Sequence, residues 1–176
     1  GSAADARTPG DGVERIWSPW RMAYIQAAKE QGEDGGCIFC DLPAEGDDVR
    51  TMILTRGELA FVIVNSFPYN PGHLMVAPFR HVGAFTSLEA AELADVDALV
   101  ARSIRALEQE MEPHGYNLGM NLGRVAGAGI PDHVHWHLVP RWNGDTNFMP
   151  VVGQTRVLPE LLEETYARLR PRFEGA

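Results

Sequence analysis

Apolar and polar residues follow two distinct periods along this chain. Met52–Thr55 and Leu59–Val64 are short apolar runs flanking Arg56-Gly57-Glu58, the pattern of a hairpin pair. His73–Ala77 reads as a third strand, stopped by Pro78. The period then changes. Leu93, Val96, Val100, Leu107 and Met111 fall at helical spacing, which predicts one amphipathic helix ending before Pro113. Thr86-Ser87-Leu88-Glu89 ahead of it has capping-box spacing. Tyr116–Leu122 and His133–Pro140 return to the strand pattern. A last helix is predicted from Pro159, a residue suited to a first helical turn, to about Leu169. The order β-β-β-α-β-β-α predicts an α+β fold: an antiparallel sheet with one long helix and a C-terminal helix.

The 176 residues fit one domain with a substantial core. Residues 1–14 are rich in Gly, Ala, Asp, Thr and Pro and are expected to be a disordered tail, leaving 15–176 as the domain. Trp17–Ile25 is expected to pack as a short helical arm. No apolar run approaches the roughly 20 residues that span a bilayer, and no leader pattern is visible, so the expected compartment is the cytoplasm. A net charge of −9 argues against binding a nucleic-acid polymer, which needs clustered Lys and Arg to neutralise phosphates.

The informative strand is His133-Val134-His135-Trp136-His137-Leu138-Val139-Pro140-Arg141. Three histidines alternate with Val, Trp and Leu, and a period of two puts the imidazoles on one face and the apolar set on the other. An exposed structural face would carry Thr, Ser or Lys. Histidine can serve as nucleophile, acid, base or metal ligand near neutral pH. Trp136 is expected to point away from the histidines, into the core or a subunit contact.

Both cysteines lie in Cys37-Ile38-Phe39-Cys40, with none elsewhere to build a disulfide framework. Taken alone, the pair fits three readings. It could be a redox motif, although the expected strand-to-helix context is missing. It could be two buried thiols. It could also be half of a zinc site needing two further ligands.

The His-x-His-x-His run ending in Pro-Arg resembles the signature of the histidine triad (HIT) superfamily of nucleotide hydrolases and transferases. Asn65-Ser66-Phe67-Pro68-Tyr69-Asn70-Pro71-Gly72-His73-Leu74-Met75-Val76-Ala77-Pro78 resembles its upstream strand–turn–strand. Gly115–Gly123 is similar to the segment before its triad. The resemblance runs from about Trp17 to near the C-terminus. It is greatest to the actinobacterial diadenosine tetraphosphate phosphorylase branch, through the Trp-x-Pro-Trp-Arg-Met arm and the Gly-Asp-x-Asn-Phe segment.

That resemblance implies roles. The middle histidine, His135, would attack an α-phosphorus and form a nucleotidyl-histidine. His137 would contact the α-phosphate and exchange a proton with the bridging oxygen. His73 would orient a neighbouring ring. Asn65 matches a ribose contact and Asn121 a phosphate contact. Gly127 and Gly129 lie in the loop Gly123–Gly129, whose small residues let backbone N–H groups approach oxygens. Many members carry Gln four residues before the first triad histidine, where this chain has Gly129. Asn147 is a further expected substrate contact. Members with this Cys-x-x-Cys complete a structural Zn2+ site with two histidines, which here are His81 and His133 beside Cys37 and Cys40.

The expected function is therefore cleavage of a dinucleoside polyphosphate, such as diadenosine tetraphosphate, with phosphate or water as acceptor. The alternatives are a nucleoside phosphoramidate or aminoacyl-adenylate hydrolase, and a non-catalytic nucleotide-binding module. The expected partners are a nucleotide substrate and a second copy of the chain, as a homodimer or higher homo-oligomer, with no membrane.

Overall fold

The structure, a computed structural model, describes residues 36–145 and 160–174. Five strands, β1 (Ile53–Arg56), β2 (Ala60–Val64), β3 (Leu74–Pro78), β4 (Gly115–Gly119) and β5 (Trp136–Arg141), form one antiparallel sheet in the order β1-β2-β3-β5-β4. Among the described residues four α-helices flank it: α1 (Ile38–Ala44), α2 (Asp48–Thr51), α3 (Ala90–Met111) and α4 (Leu162–Leu169). The α+β expectation, with one long helix and a C-terminal helix, describes this arrangement. The first two helices were not foreseen. The disordered tail of residues 1–14, the Trp17–Ile25 arm, Asn147 and the expected start at Pro159 lie outside the described residues.

Alternation along the strands divides the core into two layers. Leu54, Ala60, Val62, Val64, Leu74, Val76 and Leu138 face α3 and α4, where Val96, Val100, Leu107 and Leu169 close the larger cluster. Ile53, Phe61, Ile63, Met75 and Ala77 face the other way and pack on Phe39 of α1. Trp136 is half-buried against the larger cluster, on the core side. Among these residues Leu107 is fully buried; emptying such a position costs about 2–5 kcal/mol.

The structure moves the ends of all five predicted strands and the start of the long helix, three of them for a visible reason or by several residues. Helix α3 starts at Glu89, not Thr86, because Phe85–Ser87 winds into a separate 3-10 turn and Leu88 is extended. The capping box is Glu89 with Glu92, whose carboxylate accepts the Glu89 N–H at 2.8 Å and is itself gripped by Arg80 at 2.9 and 2.6 Å. β4 ends at Gly119 rather than Leu122. β5 begins at Trp136 rather than His133. Pro78 explains the last shift. It stands at the end of β3 with no N–H to extend the ladder past Trp136, and Val134 N–H instead donates to Val82 O at 2.8 Å.

One glycine fixes how the sheet meets the helix. Gly72 has φ +74°, and a Cβ there would lie 2.8 Å from Met111 Sδ and 3.0 Å from Leu107 Cδ2. The turn into β3 can therefore press against the end of α3. Asn70 holds the same turn to β5, donating to Pro140 O at 3.0 Å and to Asp145 Oδ2 at 2.8 Å. Asp145 also receives Arg141 through Nε at 2.5 Å and Nη2 at 2.8 Å. That guanidinium holds the Asp145 carboxyl well below the usual carboxylate range.

Candidate active site and metal centre

The β3–β5 register sets Met75 opposite His137. Met75 belongs to the layer facing α1, so His137 projects on that face as well. His135 and His133 precede the strand, yet their rings share its side. The His135 and His137 ring centroids are 5.1 Å apart, and Phe39 of α1 lies 4.7 Å from His135 and 5.4 Å from His133.

Hydrogen bonds fix the tautomers of these rings. His135 Nδ1–H donates to His133 O at 2.8 Å, because a carbonyl can only accept. His135 Nε2 therefore carries a lone pair. His135 is 5 % exposed, and that burial pushes its pKa down against the opposing effect of the carbonyl. The ring is held neutral with a nucleophilic nitrogen.

A second chain of contacts orients His137. Tyr69 N–H donates to His73 Nδ1 at 3.0 Å, which places the His73 proton on Nε2. His73 Nε2–H then donates to His137 Nδ1 at 3.0 Å. A neutral His137 consequently carries its proton on Nε2. His73 is fully buried, with Asn65 Nδ2 3.3 Å from each of its ring nitrogens. Asn65 Oδ1 accepts the Phe67 N–H at 2.9 Å. The structure thus places Asn65 behind His73, buried, bracing the turn.

Asn121 Nδ2 donates to Gly127 O at 3.4 Å and so ties down the loop before the triad. Gly123 and Gly127 have φ +82° and +93°, conformations that favour glycine. Gly127 N–H donates to Arg124 O at 3.0 Å, within the turn itself. Gly129 is half-buried at the loop's end.

Cys37, Cys40, His81 and His133 converge at the other end of the triad, their ligand atoms all within 4.8 Å of one another. Cys37 Sγ lies 3.3 Å from His133 Nδ1. Cys40 Sγ lies 3.4 Å from His81 Nδ1 and 3.6 Å from His133 Nδ1. A tetrahedral zinc with sulfur at about 2.3 Å and nitrogen at about 2.0 Å spaces those ligands about 3.5 Å apart. The donor set therefore fits that ion. Burial and then the adjoining Cys37 push the Cys40 thiol up to about 11, so a cation between the ligands is what would make it a thiolate. His133 Nε2–H donates to Pro78 O at 2.8 Å, the outer hydrogen bond that metal-bound imidazoles commonly make, and leaves Nδ1 as the ligand atom. Among the described residues no strand leads into the cysteines, which lie at the first turn of α1.

Phe39 and Tyr69 were not singled out from the sequence, although both touch site histidines. The Tyr69 ring lies tilted 4.7 Å from His73 and stacks 5.9 Å from His137. The available signal was their place inside the Cys-x-x-Cys and Pro-Gly-His blocks.

A buried imidazole with a bare Nε2 beside a second imidazole oriented as a donor is an arrangement suited to phosphorus chemistry of the histidine triad kind. The HIT domain model matches residues 48–144, more than half the chain, and the chain belongs to that family. It is 38 % identical over 160 residues to the AP-4-A phosphorylase of Mycobacterium tuberculosis, covering 88 % of this chain and 82 % of that one. It is 32 % identical over 107 residues to the adenosine 5'-monophosphoramidase of Schizosaccharomyces pombe, covering 61 % and 75 %. In structure it is similar to a Zn-bound histidine triad family protein of Mycobacterium smegmatis. The TM-score is 0.64 and the identity 25 %, over 78 % of this chain and 93 % of that one.

Proposed function

We propose that this chain cleaves dinucleoside polyphosphates such as diadenosine tetraphosphate at an α-phosphate, through a nucleotidyl-histidine on His135. The bare His135 Nε2, held by the 2.8 Å bond from Nδ1–H to the His133 carbonyl, is the observation that carries this reading. Similarity to the mycobacterial phosphorylase supports the substrate class.

Nε2 attacks the α-phosphorus, forming a P–N bond as the P–O bond to the bridging oxygen breaks. His137 gives its Nε2 proton to the departing phosphate oxygen. Orthophosphate or water then attacks the same phosphorus, displaces His135 and returns a proton to His137. His73 keeps His137 in the tautomer that can donate. We assign phosphate contacts to Asn121 and to the backbone at Gly129, with Gly127 allowing close approach. Asn65 is assigned a supporting place at the ribose edge through the turn it braces, and Asn147 a substrate contact.

Cys37, Cys40, His81 and His133 would hold a structural Zn2+. Bound there, the ion supplies no chemistry to phosphate; it keeps the cysteines as thiolates and fixes His133. We further propose a homo-oligomer. β4 is the edge of the sheet, and its Leu118 is 52 % exposed. Among the described residues no helix is long and apolar enough to cross a membrane, and we assign the chain to the cytoplasm.

Product analysis on diadenosine tetraphosphate, with and without orthophosphate and with His135→Ala as blank, tests the reading. ADP plus ATP formed only with phosphate establishes a phosphorylase, and AMP plus ATP in either case a hydrolase. Neither product from folded, metal-replete protein overturns the dinucleotide reading, and adenosine phosphoramidate becomes the substrate to examine.

A further inference from the structure

We infer that Phe39 is a positioning residue for the nucleophile: its ring is the wall that sets the plane of His135. This rests on the proposed role of His135. The single hydrogen bond from His135 Nδ1–H to the His133 carbonyl fixes one point of the imidazole. A ring held at one point can still pivot about that bond, swinging Nε2 away from an in-line approach. Phe39 removes that freedom. Its centroid is 4.7 Å from that of His135, with the planes tilted 33° apart, so the ring lies close against the imidazole.

Phe39 is itself immobilised. It is 1 % exposed, packed among Ile53, Phe61 and Ile63, and it sits between Cys37 and Cys40 on the first turn of α1. The cysteine pair thus reaches the nucleophile by two routes: through the His133 main chain, and through the aromatic ring its helix presses against His135. Substrate does not need to touch Phe39 for this to matter, since a misplacement of about 1 Å at a reacting atom costs on the order of a hundredfold in rate.

The test compares Phe39→Leu with Phe61→Leu. Both remove an aromatic ring from the same layer, but of the two Phe39 is the one whose ring lies 4.7 Å from His135. Phe39→Leu is expected to lower kcat about ten- to a hundredfold while KM stays within about twofold. Nitrogen-15 NMR of histidine-labelled protein is expected to show His135 as one Nδ1–H tautomer in the unaltered chain and in Phe61→Leu. In Phe39→Leu the same signals should become a mixture. Phe39→Met, which keeps volume without a flat face, carries the test if the leucine variant does not fold.

Four results would overturn the proposal: an unchanged kcat, a rise in KM alone, an equal kcat loss in Phe61→Leu, or a loss that added Zn2+ restores. The NMR arm needs no substrate. Failure of the unaltered chain to cleave diadenosine tetraphosphate would therefore count against the proposed reaction and leave the positioning role to be judged separately.

Discussion

His133 and His135 are joined by a bond that crosses from one centre to the other. The His133 ring stands 3.3 Å from Cys37 Sγ, while its main-chain carbonyl accepts the His135 Nδ1–H at 2.8 Å. The residue that completes the Cys2His2 cluster is the one that sets the tautomer of the proposed nucleophile. Structural support and chemistry meet in one amino acid.

Metal analysis should accordingly find about one Zn2+ per chain. Cys37→Ser is expected to lower that content and the melting temperature, and also to lower kcat, because the His133 carbonyl loses its anchor. His135→Ala should abolish turnover and leave the metal content unchanged. A Cys37→Ser protein with full kcat would separate the two centres.

The relay behind His137 predicts a graded series at His73. His73→Leu removes the donor that keeps the His137 proton on Nε2, and kcat should fall by about a hundredfold or more. His73→Gln still offers an N–H at similar reach and should recover part of that loss. Equal kcat in the two variants would show that His73 acts by packing alone.

Gly72→Ala places a methyl group 2.8 Å from Met111 Sδ in a left-handed backbone conformation. The expected cost is about 1–3 kcal/mol of stability, read by urea unfolding. Because His73 follows directly, kcat should fall as well. A stable Gly72→Ala protein would mean that the end of α3 can give way.

Stability should depend on pH through Asp145. Arg141 lowers the folded-state pKa of this carboxyl, so its contribution is present above the ordinary carboxylate value. It is lost as pH falls through the lowered folded value. Unfolding free energies of the unaltered chain and Asp145→Asn should differ at pH 7 and converge in strong acid. A difference that stays constant down to that range would remove the ion pair as its cause.

The sequence by itself determined the sheet, the long helix and the candidate site residues. Period-two runs gave the strands, the spacing from Leu93 to Met111 gave the long helix, and three alternating histidines announced a site, because each of these signals is local. The resemblance joined Cys37, Cys40, His81 and His133 as a ligand set, and their residue types suit zinc. Tertiary structure decided what depends on partners distant in sequence. Pro78 stops the sheet short of His133, a boundary invisible within the histidine run. The Thr86 capping pattern yields to Glu89, since Arg80 fixes Glu92 and with it the start of α3. Asn65, matched to a ribose contact, turns inward to His73. The tautomer of His137 depends on His73, 64 residues away in sequence, which the Tyr69 N–H orients. Periodicity states which face a side chain takes. Only packing states which atom it meets there.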